Sequence, residues 1–338
     1  MMSELARHGF GLLFLTTSLL FPQEAENGRG FFTLRSQSPV QQLRVGIQHH
    51  PPWTLAEGQG AFHIQHTWKN MWLYKTSSFL IDGEIHETVF RGAYGFTPRF
   101  ELSTEVPVRF LTGGHLDALI EGFHDTFGYV QAGRDKYLRN QFAVQIYDSV
   151  SGTSFSLDDS EIGWQLGNII LSASYDLIQD KNPRVASAIS GNLKLPTAST
   201  RHLFGSQSFD FGLSLGLGYT LSPMHIYYNG GIIYYGDSDI LGIELRQWHF
   251  STLIGFEYRK PDANYSWILQ GLVESGVAKD YEEFTKRTSE LVLGYKYYHK
   301  SGWVFGVGIL ENIFYYDNSP DVALHLELTR FFKLKEKN

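Results

Sequence analysis

From Phe209 to Tyr219 every second residue is large and apolar: Phe209, Phe211, Leu213, Leu215, Leu217 and Tyr219. Asp210, Gly212, Ser214, Gly216 and Gly218 lie between them, all small or polar. A period of two makes one strand face greasy and the other wet. Residues 248–258 repeat it, with Trp248, Phe250, Thr252, Ile254, Phe256 and Tyr258 against His249, Ser251, Leu253, Gly255 and Glu257. So do residues 99–110, and the last strand, which sets Val322, Leu324, Leu326 and Leu328 against Ala323, His325, Glu327 and Thr329. One such strand fits a soluble sandwich, whose apolar face meets a second sheet. Many strands of about a dozen residues fit a transmembrane barrel instead, apolar toward lipid and polar toward a lumen.

The pattern predicts strands near 61–74, 79–92, 98–110, 163–178, 183–195, 207–220, 223–236, 246–259, 264–277, 287–299, 302–315 and 321–332. The predicted fold is all-β: a transmembrane antiparallel β-barrel of about twelve strands, with one short loop helix. Short connections near Leu221-Ser222, 260–262 and 300–302 alternate with longer ones near 196–206, 237–245 and 278–286. That is the rhythm of short periplasmic turns and long outer loops, with both termini periplasmic. It keeps residues 142–149 out of the membrane, as part of an outer loop or a short extension. Pro107 cannot donate to a ladder, so a bulge or strand end is expected there.

The long connection 111–162 carries the helix. Leu116, Leu119, Ile120, Phe123 and Phe127 recur at helical spacing, and Gly128 is a stop signal. Its apolar face is expected to cover the barrel mouth or lumen wall, restricting the pore. Asp117, Glu121, His124 and Asp125 share the other side. There Glu121, His124 and Asp125 would face the solute path or bond to lumen charges such as Arg99 or Arg109. A carboxylate beside an imidazole can also act as a base or hold a metal, although a plain polar helix face has the same spacing.

Composition fits this picture. The 338 residues are 43% hydrophobic and 15% aromatic, with 19 Tyr, 25 Phe and 7 Trp. Trp72, Tyr74, Trp164, Tyr234, Tyr258, Trp267, Tyr297 and Trp303 fall near predicted strand ends, as interfacial girdles require. A mean hydropathy of -0.19 fits no helical membrane bundle. Many of the 34 Gly take the inward parity, where small residues leave room. With no Cys, disulfides and thiol chemistry are excluded. A net charge of -7 argues against nucleic acid as a partner.

The chain divides into a signal peptide (1–25), an N-terminal lumen or periplasmic segment (26–58), the outer-membrane barrel (59–332) and a periplasmic tail (333–338). Arg7 and His8 before the apolar run 10–21 carry the first of these, and Pro39, Pro51, Pro52 and His49-His50 mark the second.

The order of features resembles a family of bacterial outer-membrane barrels known as a domain of unknown function, the 3187 family. The resemblance rests on FLIDGE at 79–84, LSTEVPVRFLTGGHLDALIEGFHDTFG at 102–128 and Gly133-Arg134-Asp135. LKLPT at 193–197, Gly205-Ser206 and SPDVALHLELTRFF at 319–332 complete it. It implies an outer-membrane location and no established activity, and it carries over no catalytic residue. The tail 333–338 extends past the aromatic strand on which such barrels usually end.

No phosphate-binding loop, HExxH, G-x-S-x-G or dinucleotide glycine pattern is present. Asp82, Glu84 and His86 share one parity, and Arg99, Glu101, Glu105 and Arg109 another on the next strand. Both sets are expected on the inward face, as pairs filling a narrow lumen or as a solute ladder. The leading function is a narrow channel or small-solute transporter, partly obstructed by the helix-bearing loop. An outer-membrane enzyme acting on lipid or lipopolysaccharide, and a structural or adhesive barrel, are the alternatives. Expected partners are outer-membrane lipid and lipopolysaccharide, the barrel-assembly machinery and a small solute, with no cofactor, metal or nucleic acid.

Overall fold

The computed structural model describes residues 29–333, apart from 39–48, 77, 129, 132, 149–152, 159, 161, 179–183, 199–205, 238, 241–242, 280–281, 315–319 and 321. The expected signal peptide and most of the tail lie outside the described residues.

The chain closes into an antiparallel barrel of twelve staves. The first three are β1 (Gln59–Lys75), β2 (Phe79–Thr97) and β3 (Phe100–Thr112). The long connection then carries α1 (Asp117–Phe127) and the strands β4 (Ala143–Asp148) and β5 (Thr153–Leu157). The fourth stave is split into β6 (Gly163–Leu166) and β7 (Ile170–Asp176). Next come β8 (Val185–Lys194), β9 (Asp210–Leu221) and β10 (Met224–Tyr235), and a small loop ribbon of β11 (Asp239–Ile240) and β12 (Ile243–Glu244). The last five staves are β13 (Trp248–Tyr258), β14 (Tyr265–Glu274), β15 (Thr288–His299), β16 (Trp303–Asn312) and β17 (Val322–Lys333). Closure is the pairing of β17 with β1, Leu326 opposite His66.

Each anticipated strand is present, and the parity is as read on β9. Phe211 is 55% and Leu215 38% exposed, whereas Asp210 and Ser214 point inward and are buried. Such a band of exposed apolar side chains would be a liability in water and is required against lipid. An aromatic row crosses four neighbouring strands near the loop end of the wall. Trp68 stacks on His86 at 5.2 Å, His86 lies 6.2 Å from Phe110, and Phe110 5.0 Å from Trp164. At the turn end Tyr265 stacks on Tyr295 at 5.8 Å, and Trp267 lies 5.1 Å from Tyr295.

Pro107 breaks the ladder in its neighbour rather than in its own strand. β3 pairs with β2 without a shift there, Val89 opposite Pro107. On its other side its partner changes from β7, which ends the pairing at Ile170, to β6, which begins it at Leu166. Gly167 turns aside and donates to the Pro107 carbonyl at 2.8 Å. A proline without an N–H leaves the adjoining strand nothing to pair with, so that strand splits.

β1 and β2 run to 17 and 19 residues, longer than a membrane crossing needs. Their upper parts carry the loop of α1 on their outer side and pair through β2 with β4. Asp82, Glu84 and His86, expected inward, face outward. They share parity with exposed Phe90 and Phe96, while Glu87 and Arg91 point into the barrel. Arg99 sits in the turn before β3, where its carbonyl accepts the Asp176 N–H at 2.9 Å.

The helix also reverses its expected packing. Asp117, Ile120 and Glu121 are buried, while Leu119, Phe123 and Phe127 are 66%, 49% and 65% exposed. Its polar edge is tied down. Asp117 pairs with Arg134 at 2.8 Å and accepts from Asn70 at 3.2 Å and from the Asn140 N–H at 2.7 Å. Gly128 ends the helix in the left-handed conformation its sequence anticipates.

Candidate functional site

The barrel interior holds a length of its own chain. Residues 30–38 run up the lumen toward the loop end, and residues 49–58 lead back to β1. The inward faces of the strands provide the bed. Gly294 on β15 and Gly306 and Gly308 on β16 surround the Phe32 ring, and a Cβ at Gly306 would stand 2.8 Å from it. On β9, a Cβ at Gly218 would stand 2.8 Å from Pro52. The inward glycines thus make room for a peptide.

Two aromatic residues anchor the segment. Phe32 and Leu34 pack with Ile268, Val292, Leu310 and Ala323. Phe31 packs with Tyr227, Leu253 and Leu272, with Trp53 against the same group. Wall side chains satisfy the backbone between these anchors. Glu257 accepts the Gly30 N–H at 2.9 Å and the Tyr227 and Tyr298 hydroxyls at 2.8 Å each. Gln270 accepts the Phe32 N–H at 2.8 Å and donates to its carbonyl at 3.2 Å. Glu290 accepts the Gln37 N–H at 2.9 Å and the Ser36 hydroxyl at 3.1 Å. Lys296 donates to the Phe31 carbonyl at 3.2 Å and pairs with Glu327 at 3.1 Å.

Charge is balanced locally. Glu87 joins Arg35 of the segment, at 3.1 Å, to Arg109 of the wall. Glu101 takes His50 at 2.9 Å, Arg91 at 3.1 Å and the Leu55 N–H at 2.9 Å. Arg91 also reaches Glu105 at 3.5 Å. His49 bridges Asn229 and Ser251 at 3.2 Å each, beside the pair His249–Glu274. Buried charges need such partners, and each lost partner leaves a costly remainder. At the turn end a cavity of about 60 Å³ remains, lined by Trp53, His63, Arg91 and Phe331 among others. It is room for a few water molecules.

An apolar cluster caps the loop end. Inward-facing Met71, Ile81, Ile85 and Leu111 meet Phe142, Val144, Ile146 and Leu157 of the long connection, and Leu245, Val277 and Phe284 of other loops. The long connection therefore contributes its hairpin to the mouth and holds its helix on the outer wall.

The structure brings Glu101, Glu105 and Arg109 into the lumen. It separates them from Glu84, His86, Asp117, Glu121, His124 and Asp125. Glu84 accepts the Trp68 indole N–H at 2.7 Å and the His115 and Leu116 N–H groups at 2.8 and 2.6 Å. Glu121 pairs with Arg139 and holds that guanidinium more firmly protonated than usual. Asp125 accepts from Gln131 at 2.7 Å, and His124 is half-exposed on the helix. The helix stands on the outer side of the wall and Arg109 points to its inner side, so the wall separates Glu121, His124 and Asp125 from that guanidinium. The lumen residues not singled out from the sequence are Arg35, Glu87, Arg91, Gln270, Glu290 and Lys296, whereas Glu257 and Glu327 fall on the wet parity already read for their strands. The wall residues carry their signal as polar positions on the inward parity of β2, β14 and β15, whereas Arg35 lies in a segment without a period.

A closed twelve-stave antiparallel barrel with an apolar outer belt and a polar interior defines the outer-membrane type of β-barrel. The chain belongs to the family DUF3187, described as proteins of unknown function, which it matches over residues 11–332. No curated protein matches it. Among solved structures it is similar to the COG4313 outer membrane channel from Pseudomonas putida F1. The identity is 13%, over 86% of this chain and 99% of that one, with a TM-score of 0.55. The NanC porin aligns at 9% identity over 81% of this chain and 100% of its own, with a TM-score of 0.46. The KdgM porin aligns at 10% identity over 80% of this chain and 99% of its own, with a TM-score of 0.42. At such identities the likeness concerns the fold.

Proposed function

We propose that this protein is an outer-membrane channel for small solutes, held shut by two barriers in series: the N-terminal segment in the lumen and the apolar cap at the loop end. The observation that carries this reading is the glycine-floored, hydrogen-bonding bed that Phe31–Ser38 occupies. A barrel meant only to be solid fills its interior with large inward side chains. Here the inward face of β9 is small throughout, Gly294 of β15 and Gly306 and Gly308 of β16 leave a hollow, and a peptide fills the space. Many of its polar contacts are ones that water could replace on release. The finer expectation of an obstructing helix shifts to the hairpin of the same loop, with Phe142 and Val144 in the cap. Lipid against the outer belt, and folding by the barrel-assembly machinery, belong to the same proposal. The enzyme alternative draws no support from Asp117 and Glu121, whose carboxylates are engaged by Arg134 and Arg139.

Planar-bilayer recording tests this with four proteins: the full chain, a variant lacking residues 30–57, Phe142→Ser/Phe284→Ser, and the combination. The full chain should conduct little, each single change should give brief openings, and the combination a steady conductance. A combined variant that migrates as a folded barrel yet stays silent refutes the channel. Phe32→Ala in place of the deletion serves if the shortened chain does not assemble.

A further inference from the structure

The exposed face of α1 has an unusual address. The helix hangs on the outer wall of the barrel. Its first residue, Asp117, is tied to outward-facing Asn70, the next outward position above Trp68. Glu84, the next above His86, holds the Trp68 indole and the backbone of His115 and Leu116 together. Two strand residues advance about 7 Å at most, so the start of the helix sits just above the aromatic row of Trp68, His86, Phe110 and Trp164. Such rows mark the membrane–water boundary.

From this position the helix presents Leu119, Phe123 and Phe127, with Phe123 and Phe127 4.6 Å apart. Val130 and Leu138, on the same loop, are 83% and 73% exposed. Asp117 and Glu121 on its other edge hold it to the loop and wall. We infer that α1 is an interfacial helix whose Leu119–Phe123–Phe127 face enters the acyl–headgroup boundary of the outer leaflet, docking the loop onto the lipid that surrounds the barrel. The belt below the start of the helix is itself apolar and open, with Trp164 and Leu166 69% and 48% exposed. An amphipathic helix beside a bilayer boundary lies in that boundary with its apolar face down. A second copy of the chain is the poorer occupant. Two half-exposed rings and a leucine offer roughly a few hundred Å², against about 800 Å² per partner in a stable interface.

The chain has no cysteine, so single-cysteine variants need no background removal. Phe123→Cys and Leu119→Cys would be spin-labelled in the full-length protein, in vesicles of phospholipid and lipopolysaccharide. Collision with oxygen and with a water-soluble nickel chelate would be compared. Leu215→Cys is the lipid control and exposed Asp135→Cys the water control on the same loop. Both test positions should give an oxygen-to-nickel ratio several-fold above Asp135→Cys, approaching Leu215→Cys. A ratio equal to that of Asp135→Cys means the face meets water and overturns the inference. Protection from both reagents means a protein covers it, and overturns it too. Each variant is scored only as a heat-modifiable folded barrel, and Phe127→Cys replaces one that fails to assemble.

Discussion

Two segments of this chain lie against the same barrel wall, one inside and one outside, and they treat their phenylalanines in opposite ways. In the lumen, Phe31 and Phe32 are 1% and 0% exposed. On the outer wall, Phe123 and Phe127 are turned out while Asp117 and Glu121 are buried. Both segments are fastened by carboxylates: Glu87, Glu257 and Glu290 inside, Asp117 and Glu121 outside. The difference lies in the solvent beyond. The lumen segment has no apolar phase except the pockets of the wall, so its rings must fill them. If the outer loop stands beside lipid, as proposed above, burial in protein is no longer the favourable place for its rings. The rule that apolar residues go inside is a rule about water.

The largest effect on this contrast should come from the inner anchor. Phe32→Ala removes a fully buried ring at a cost of about 3–5 kcal/mol. The amides of residues 30–38 should then exchange with deuterium at least about a hundredfold faster, since 1.4 kcal/mol is a factor of ten. Leu215→Arg should come next, at ~2–4 kcal/mol for a cation on the lipid face. Its readout is loss of the heat-resistant barrel in native membranes, while Ser214→Arg, on the lumen side, should retain more of it. Gln270→Leu keeps the volume but orphans both polar groups of the Phe32 peptide, for about 1–3 kcal/mol. Faster exchange confined to residues 30–38 would report it. The smallest effect should be Phe123→Ser. In detergent it should change barrel stability by less than about 0.5 kcal/mol, as exposed positions do. A large drop in the melting temperature would mean that Phe123 packs on protein.

The strands were legible because alternation sustained over a dozen residues arises from little else than a strand with two unlike faces. The long β1 and β2 hairpin was harder. Polar residues occupy both parities of β2, Asp82, Glu84 and His86 on one and Glu87 and Arg91 on the other. Only the exposed aromatics farther along, Phe90 and Phe96, decide which set meets the lumen. The helix was found at the right residues, and its stop at Gly128, but periodicity reports a face and says nothing about the phase it meets. Glu101, Glu105 and Arg109 point inward, on the parity their alternation indicates. Their partners Arg35 and His50 were invisible as such, because residues 29–58 have no period, and only the three-dimensional closure of the barrel brings them to the wall.

The central claim is that residues 30–38 occupy the lumen and are held there by the wall. Hydrogen exchange read by mass spectrometry on the intact protein tests it most directly. The account predicts that amides of residues 30–38 are protected to the same degree as those of 268–274 in the strand that grips them. Exchange of 30–38 within seconds, as for an unfolded chain, with 268–274 still protected, would contradict it.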